Sequence, residues 1–235
     1  MKENINNILE KISLACKNSN RDKKEIFLLP VSKTVDVDKI QEAIDLGFYT
    51  FGENKVQEIL KKYEYFDGKV KFHMIGHLQT NKVKSIIDKV ELIHSLDRIS
   101  LLDKLELEAK NKGITVNCLV EVNIGKEDSK SGIFEEDVLD FIREVSKRDN
   151  VLVNGLMTVA PYCEDAEDTR IYFKKMKSLF DEISKLKLKN VDMKILSMGM
   201  SNDFMITIEE EIGRAHVWTP VTRSSRMPSS AWKKK

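Results

Sequence analysis

Cysteine is scarce in this chain: Cys16, Cys118 and Cys163 are the three present in 235 residues, and they are widely spaced. An odd, scattered set predicts neither a disulfide framework nor a zinc site. Long apolar runs are also absent, since no stretch approaches the roughly 18 apolar residues that a membrane-spanning helix needs. The first residues lack the short apolar block of a secretory signal. These absences favour a protein of the cytoplasm.

A strong charge of either sign is missing as well. The formal net charge is +1, from 39 basic and 38 acidic residues. Residues from Glu211 onward supply six of the basic residues and one acidic residue, so the rest of the chain has 33 basic and 37 acidic residues. A mildly acidic body has no electrostatic footprint for nucleic acid or for an anionic membrane, and we expect neither as a partner.

What the chain does contain is an alternation of short apolar runs with helical patterns. A first helix is expected over residues 5–16, where apolar residues recur at mostly helical spacing. Nearly continuous apolar runs are typical of strands buried on both faces of a parallel sheet. The seven expected strands lie at residues 26–33, 48–52, 71–76, 91–96, 115–124, 151–157 and 193–201.

Each expected strand is followed by a helical pattern, which predicts parallel strands joined by right-handed crossovers. Seven such units without a composition break favour one α/β domain over residues 1–210, a (β/α)8 TIM-type barrel whose last strand is missing. An open doubly wound sheet is the alternative. The G-x-G-x-x-G turn that would favour that sheet is absent.

The segment 211–235 differs in character from the rest of the chain. It holds both tryptophans, Trp218 and Trp232, and two of the four prolines, without helical or strand periodicity. A disordered native tail would have this composition. The string also resembles the conceptual translation of a sequencing-library adaptor, with the two tryptophans at UGA triplets. We therefore predict a non-native, disordered tail that replaces the true C-terminus from about Glu211.

Lys33 is the first candidate for chemistry, because active sites of such barrels lie where strands end. A lysine directly after the apolar run FLLPVS would have its amine in a partly desolvated barrel mouth. Desolvation lowers the pKa of an ammonium group and frees the neutral amine to attack a carbonyl. From spacing alone, a solvated lysine at the end of a strand is the more frequent case.

The second candidate is the turn SMGMSND, residues 197–203, at the seventh strand. A glycine allows close backbone approach, and Ser201 with the following amides could hold a phosphate at a helix N-terminus. An ordinary capped turn fits equally well. His73 and His77 are four residues apart but belong to a strand and a loop, without an HExxH pattern, so no metal site is predicted.

The motifs VSKT, FGENKVQE, FHMIGHLQTNK, HSLD, VNIGKEDSKSG, GLMT and LSMGMSND together resemble the pyridoxal phosphate homeostasis protein family (YggS/PROSC type). That family's fold is similar to the N-terminal barrel of alanine racemase, the type III fold of pyridoxal-phosphate (PLP) proteins. The resemblance runs from the first helix to about Glu210. It implies that Lys33 holds PLP as a Schiff base, an internal aldimine.

The resemblance also implies the other cofactor-binding residues. Ser201 matches a phosphate-binding position, with Gly199 beside it, and Asn54, His73 and Met200 are expected to line the pocket. The departure is at the end of the chain. Family members continue with a strand bearing an Arg-x-Gly pattern, whose Arg faces the pyridine nitrogen. Arg214-Ala215 is not that pattern, so we transfer no role to Arg214 and expect this chain to bind PLP poorly.

The function implied is intracellular PLP homeostasis: a monomeric carrier that passes the cofactor to apo-enzymes, with no catalytic residues of its own. Enzymes that use this cofactor need an acid/base group over the substrate carbon, which alanine racemase draws partly from a second domain. One alternative is a weak PLP-dependent amino-acid racemase. Another is a cofactor-free barrel that acts as a protein-interaction module.

Overall fold

Strands and helices alternate along the chain, as the apolar pattern predicts. The computed structural model describes residues 1–210 and the backbone of residues 214–220. The strands are β1 (Ile26–Val31), β2 (Thr50–Glu53), β3 (Lys71–Met74), β4 (Leu92–Leu96), β5 (Val116–Glu121), β6 (Val151–Met157), β7 (Val191–Ser197) and β8 (Arg214–Pro220). The helices are α1 (Lys2–Asn18), α2 (Val37–Asp45), α3 (Val56–Tyr65), α4 (Val83–Ile86), α5 (Ile99–Lys112), α6 (Val138–Val145), α7 (Arg170–Lys185) and α8 (Phe204–Glu210).

The strands form a closed barrel in sequence order, with every neighbouring pair parallel. A helix follows each of the first seven strands, which is the arrangement of a (β/α)8 barrel. The predicted fold class is therefore confirmed. None of the helices between residues 1 and 210 combines the length and the apolar character that a bilayer crossing requires.

The predicted absence of the eighth strand is wrong. Residues Arg214–Pro220 pair in parallel with β7 and, over their last six residues, with β1. Parallel pairing uses backbone N–H and C=O groups, so it does not require the family's own side chains at these positions. The disorder predicted for residues 211–235 is contradicted at residues 214–220, and the rest of that segment lies outside the described residues. The adaptor origin of the tail stays a prediction.

Strand β1 shows how the barrel separates two apolar layers. Leu29 and Val31 belong to the cluster inside the barrel, whereas Ile26 and Leu28 pack against a cluster formed by α1 and α8. Successive side chains of a strand point to opposite faces, so this alternation places Leu29 and Val31 inside the barrel and Ile26 and Leu28 against the helices. The largest cluster lies between the strands and the remaining helices.

Helix α4 is shorter than the sequence pattern indicates. The pattern of residues 79–88 (QTNKVKSIID) predicts a helix, but only Val83–Ile86 form one, after a turn of 3₁₀ helix at Thr80–Lys82. The carbonyl of Leu78 accepts a hydrogen bond from Arg98 at 2.7 Å and Leu78 is fully buried. These contacts fix Leu78, and Gln79 next to it is extended, so no helix begins at residue 79.

Candidate functional site: the carboxyl-end mouth of the barrel

Lys33 lies just beyond β1, at the barrel end where strands give way to loops. Leu29 and Val31 face the barrel interior, and Lys33 follows them by two residues, at the rim of the barrel mouth. Its side chain is half-buried, and burial lowers the pKa of its amine, while the nearby Glu53 carboxylate acts in the opposite direction. A lowered pKa increases the share of neutral amine, which makes Lys33 a candidate nucleophile at this mouth.

The backbone that carries Lys33 is a tight turn. The N–H of Val35 donates to the carbonyl of Ser32 at 3.1 Å, so Lys33 and Thr34 occupy the two central positions. Thr34 adopts a φ of 58°, in the left-handed region that non-glycine residues rarely visit. Such a constraint fixes where the Lys33 side chain starts, which favours a preorganised site.

An apolar floor lies beneath this mouth. It combines buried and partly buried side chains from β1, β4, β5, β6 and β7, from the loops after β3 and β6, and from the turn after β7. A flat aromatic ligand could rest against such a surface while its polar groups reach the rim. The residues of this floor are Phe27, Leu29, Val31, Ile75, Leu92, Leu119, Met157, Val159, Ile195 and Met200.

The turn after β7 brings its backbone close to neighbouring atoms at Gly199 and offers two hydrogen-bond donors. A Cβ on Gly199, whose φ is 84°, would lie 2.5 Å from Oγ1 of Thr207, so only glycine fits there. The N–H of Met200 is already taken by Oδ1 of Asp203, at 2.5 Å. The N–H groups of exposed Ser201 and Asn202 donate to none of the described residues. They are the donors that this turn offers to an anion.

The end of β2 brings Asn54 to the same mouth. Asn54 is exposed and follows Glu53, the last residue of the strand. Gly76, in the loop after β3, approaches it so closely that a Cβ there would lie 2.5 Å from the carbonyl oxygen of Asn54. The predicted residues Lys33, Asn54 and 199–201 thus follow β1, β2 and β7, which lie in one arc of the barrel together with β8.

His73 lies deeper than the other predicted residues. It is 3% exposed, its ring stacks near Phe27, and its Nδ1 lies 3.0 Å from Nε2 of His94. Nδ1 of His94 lies 2.9 Å from Oγ of Ser197, and Nε2 of His73 lies 3.6 Å from a Glu91 carboxylate oxygen. His73 therefore belongs to a hydrogen-bonded chain through the barrel core. Its contact with a cofactor stays a prediction.

The direction of this chain follows from its ends. A carboxylate only accepts hydrogen bonds, so the ring proton of His73 faces Glu91 on Nε2, and Nδ1 of His73 accepts from His94. Nδ1 of His94 then accepts the hydroxyl proton of Ser197. Burial lowers the pKa of His73, against the effect of Glu91, and so favours the neutral ring. The chain orients the Ser197 hydroxyl directly before the turn at residues 198–202.

His77 does not join His73. His77 is exposed and lies 3.4 Å from a carboxylate oxygen of Asp97. Among residues 1–210 the structure brings together no group of three His, Cys, Asp or Glu side chains that could hold a metal ion.

A buried charge pair behind Lys33 was missed by the sequence reasoning. Nζ of Lys62, on α3, lies 2.6 Å from Oε1 of Glu53 and 2.8 Å from the carbonyl oxygen of Ser32. Lys62 is 2% exposed and Glu53 is fully buried. A signal was present in the sequence, because Val56, Ile59 and Lys62 recur at helical spacing and place a lysine on the apolar stripe of α3.

Glu121, at the end of β5, should make the free energy of unfolding depend on pH. Burial raises the pKa of Glu121 to about 7, with Asp97 acting in the same direction and Arg98 against it. The folded state thus keeps this proton to higher pH than the unfolded state, and the free energy of unfolding falls as pH rises from about 4.5 to 7. We expect Glu121→Gln to raise it by up to about 3 kcal/mol at pH 8 and to change it little at pH 4.5. Urea unfolding at the two pH values measures the difference.

Glu136 provides a control of opposite sign. A backbone hydrogen bond and the Lys126 ammonium lower the pKa of this exposed carboxyl. Its stabilising effect is present above its ordinary pKa, so Glu136→Gln should slightly lower stability at pH 8. An equal response of wild type and Glu121→Gln to pH would contradict the prediction.

The sequence of this barrel matches a known family of proteins. The profile of the family described as "Alanine racemase, N-terminal domain" matches residues 7–216. The pyridoxal phosphate homeostasis protein of Aquifex aeolicus is 44% identical over 209 residues, which cover 88% of this chain and 91% of that protein. The chain therefore belongs to the alanine racemase N-terminal domain family and, within it, to the pyridoxal phosphate homeostasis proteins. All six predicted cofactor-binding residues lie inside the matched segment.

Solved structures share the whole barrel with this family member. A crystal structure of a protein from Bifidobacterium adolescentis superposes with a TM-score of 0.85 at 28% identity, over 92% of each chain. PipY of Synechococcus elongatus PCC7942, solved with PLP bound, superposes with a TM-score of 0.76 at 25% identity, over 89% of this chain and 97% of PipY. The barrel thus accounts for nearly all of a solved protein that binds PLP.

Proposed function

We propose that this chain binds pyridoxal 5′-phosphate covalently through Lys33 and that it serves in PLP homeostasis. The observation that carries the proposal is the position of Lys33: a half-buried amine with a lowered pKa at the mouth of the barrel. PipY, which shares the barrel, has PLP bound. The relatives named as PLP homeostasis proteins include one 44% identical to this chain.

The residues at the mouth fit the three parts of this cofactor. The aldehyde needs a neutral amine, which Lys33 supplies. The ring needs apolar contact, which the floor containing Met157 and Met200 supplies. The phosphate needs donors and close backbone approach, and Gly199 with the free N–H groups at Ser201 and Asn202 meets both needs.

When bound, PLP supplies an aldehyde that condenses reversibly with an amine. The chain's residues have separate tasks around it. The turn at Ser32–Val35 fixes the start of the Lys33 side chain, and the apolar floor would exclude water from the cofactor ring. We infer that Asn54 contacts the cofactor from the end of β2. We infer that His73 supports the cofactor site from the barrel core, through its hydrogen bond to His94. We give Arg214 no role.

We infer that cofactor storage and delivery, rather than turnover, is the main task. Efficient catalysis with PLP requires an acid or base poised over the substrate carbon. The buried His73 and His94 are instead paired with each other, with Glu91 next to His73 and Ser197 next to His94. Monomeric state, transfer of PLP to apo-enzymes and a cytoplasmic location belong to the same proposal.

Borohydride reduction followed by peptide mass analysis tests the site. The full chain is incubated with PLP and reduced, and the modified lysine is located. A second version carries the C-terminal segment of the A. aeolicus relative in place of residues 211–235. We expect the adduct on Lys33 in both versions, with a higher yield in the second, because the family's own last strand completes the phosphate site. An adduct on a different lysine would refute the assignment.

Exchange of the α-proton of added amino acids separates a carrier from a racemase. A carrier should show slow exchange in deuterated water, below that of a racemase by several orders of magnitude. Exchange comparable with a racemase would replace the carrier proposal with the racemase alternative.

A further inference from the structure

The buried pair Lys62–Glu53 lies on the helix side of the barrel wall, behind the turn that carries Lys33. On β1 the inward residues are Leu29 and Val31, so Ser32 faces outward, toward the helices. On β2, Phe51 packs in the outer cluster, so Glu53 also faces outward. The hydroxyl of Ser32 donates to Oε1 of Glu53 at 2.6 Å.

Lys62 reaches this wall from α3. Its ammonium lies 2.6 Å from Glu53, 3.0 Å from Glu58 and 2.8 Å from the carbonyl oxygen of Ser32. That carbonyl belongs to the peptide bond that leads into Lys33, and it also closes the turn by accepting from Val35. One ammonium group thus connects the ends of β1 and β2.

The charges of this cluster do not make it a simple stabilising contact. A buried charge pair loses most of its Coulomb energy to desolvation, so a methionine at position 62 with a glutamine at position 53 could be as stable. Oε1 of Glu53 takes both hydrogen bonds, while Oε2 is buried and has no partner among the described residues. Glu53 is therefore held through one of its two oxygens, and Lys62 is the cation that balances its charge.

We propose that Lys62 is a positioning residue, which fixes the turn that carries Lys33 and neutralises Glu53 so that this carboxylate does not hold the Lys33 amine as an ammonium. The inference rests on the proposed function of Lys33. The charged groups around the pair are Glu53 from β2 and Glu58 and Lys62 from α3, with Ser32 from β1 as a neutral donor.

The direction of the electrostatic effect follows from the charges. The Glu53 carboxylate raises the pKa of Lys33, against the larger effect of burial. Burial raises the pKa of Glu53, and Lys62 acts against that effect. Without Lys62, at a pH where Glu53 is still ionised, its charge would act unopposed on Lys33, and the amine would stay protonated to higher pH. Without Glu53, the charge of Lys62 would act alone and would have the reverse effect.

The test is the pH dependence of the borohydride-trapped PLP on Lys33, measured by peptide mass in wild type, Lys62→Met, Lys62→Arg, Glu53→Gln and the double variant Lys62→Met/Glu53→Gln. In Lys62→Met, we expect the midpoint of the trapping-versus-pH curve to rise by about 1 pH unit, because the negative charge of Glu53 then acts on Lys33 without the charge of Lys62 beside it. Lys62→Arg should stay near wild type, because a guanidinium can donate to the same oxygens. Glu53→Gln should lower the midpoint, and the double variant should return it to that of wild type.

A purely structural role would reduce stability without moving the midpoint. An unchanged midpoint in Lys62→Met, with a normal adduct in wild type, would overturn this inference and leave the proposed function intact. Should Lys62→Met fail to fold, Glu53→Gln and the double variant decide: equal midpoints in these two would also overturn it. Absence of the Lys33 adduct in wild type at every pH would overturn the proposed function, and this inference with it.

Discussion

Replacing Lys33 with alanine is expected to abolish covalent retention of PLP. The yellow colour of the loaded protein should disappear on dialysis, because the remaining contacts hold only the ring and the phosphate and bind reversibly. Lys33→Arg should lose the colour as well, since a guanidinium keeps the positive charge but does not condense with the aldehyde. Absorbance in the visible range before and after dialysis measures the loss.

Lys55 provides a matched control for this experiment. It directly follows Asn54 at the end of β2, at the same end of the barrel, and its side chain is exposed. Lys55→Ala should keep the colour through dialysis. Circular dichroism should show a folded barrel for both alanine variants, because neither side chain belongs to an apolar cluster. Colour that survives dialysis in Lys33→Ala would show that the amine is not the site of attachment.

Among the variants proposed for this chain, Gly155→Ala is expected to lower the free energy of unfolding most. Gly155 lies in β6 with a φ of 151°, and a Cβ there would lie 1.8 Å from the carbonyl oxygen of Ile195 in β7. Backbone atoms cannot move away as a flexible side chain can, so the two strands would have to separate. We expect a loss of about 3–5 kcal/mol in the free energy of unfolding, or failure to fold.

Gly113 separates the effect of backbone conformation from that of the clash. It ends α5 with a φ of 65°, and nothing lies within 4 Å of the position of an added Cβ. Gly113→Ala should cost only about 1 kcal/mol, from the left-handed conformation alone. Urea unfolding of both variants gives the comparison, and similar losses would show that the β6–β7 contact is less tight than described.

The strand order could be predicted because strands that are buried on both faces appear in the sequence as nearly continuous apolar runs. The run of residues 26–33 is apolar through Val31 and then changes to Ser32 and Lys33, so the position of the candidate nucleophile followed from the sequence alone. The turn at residues 197–203 was found in the same way. The length of α4 was not predictable, because the contact of Arg98 with the Leu78 carbonyl joins residues from different units of the barrel.

The candidate site divides in the same manner. Lys33, Asn54 and Ser201 could be named from motifs, since each follows a strand whose pattern is local. The burial of His73 and its bond to His94 could not, because a histidine within a strand gives no sign of its partner. The eighth strand was expected to be missing because its side chains depart from the family pattern, yet backbone pairing with β1 and β7 is enough to form it.

The sequence by itself determined the alternation of strands and helices and the lysine at the end of β1, because periodicity and burial act over a few neighbouring residues. Only the tertiary structure decided which polar groups meet. Lys62 and the Ser32 carbonyl are 30 residues apart in sequence, and His94 and Ser197 are 103 residues apart. The physical reason is that a buried polar group takes whichever partner the closed barrel brings within hydrogen-bond distance, and no local pattern encodes that distance.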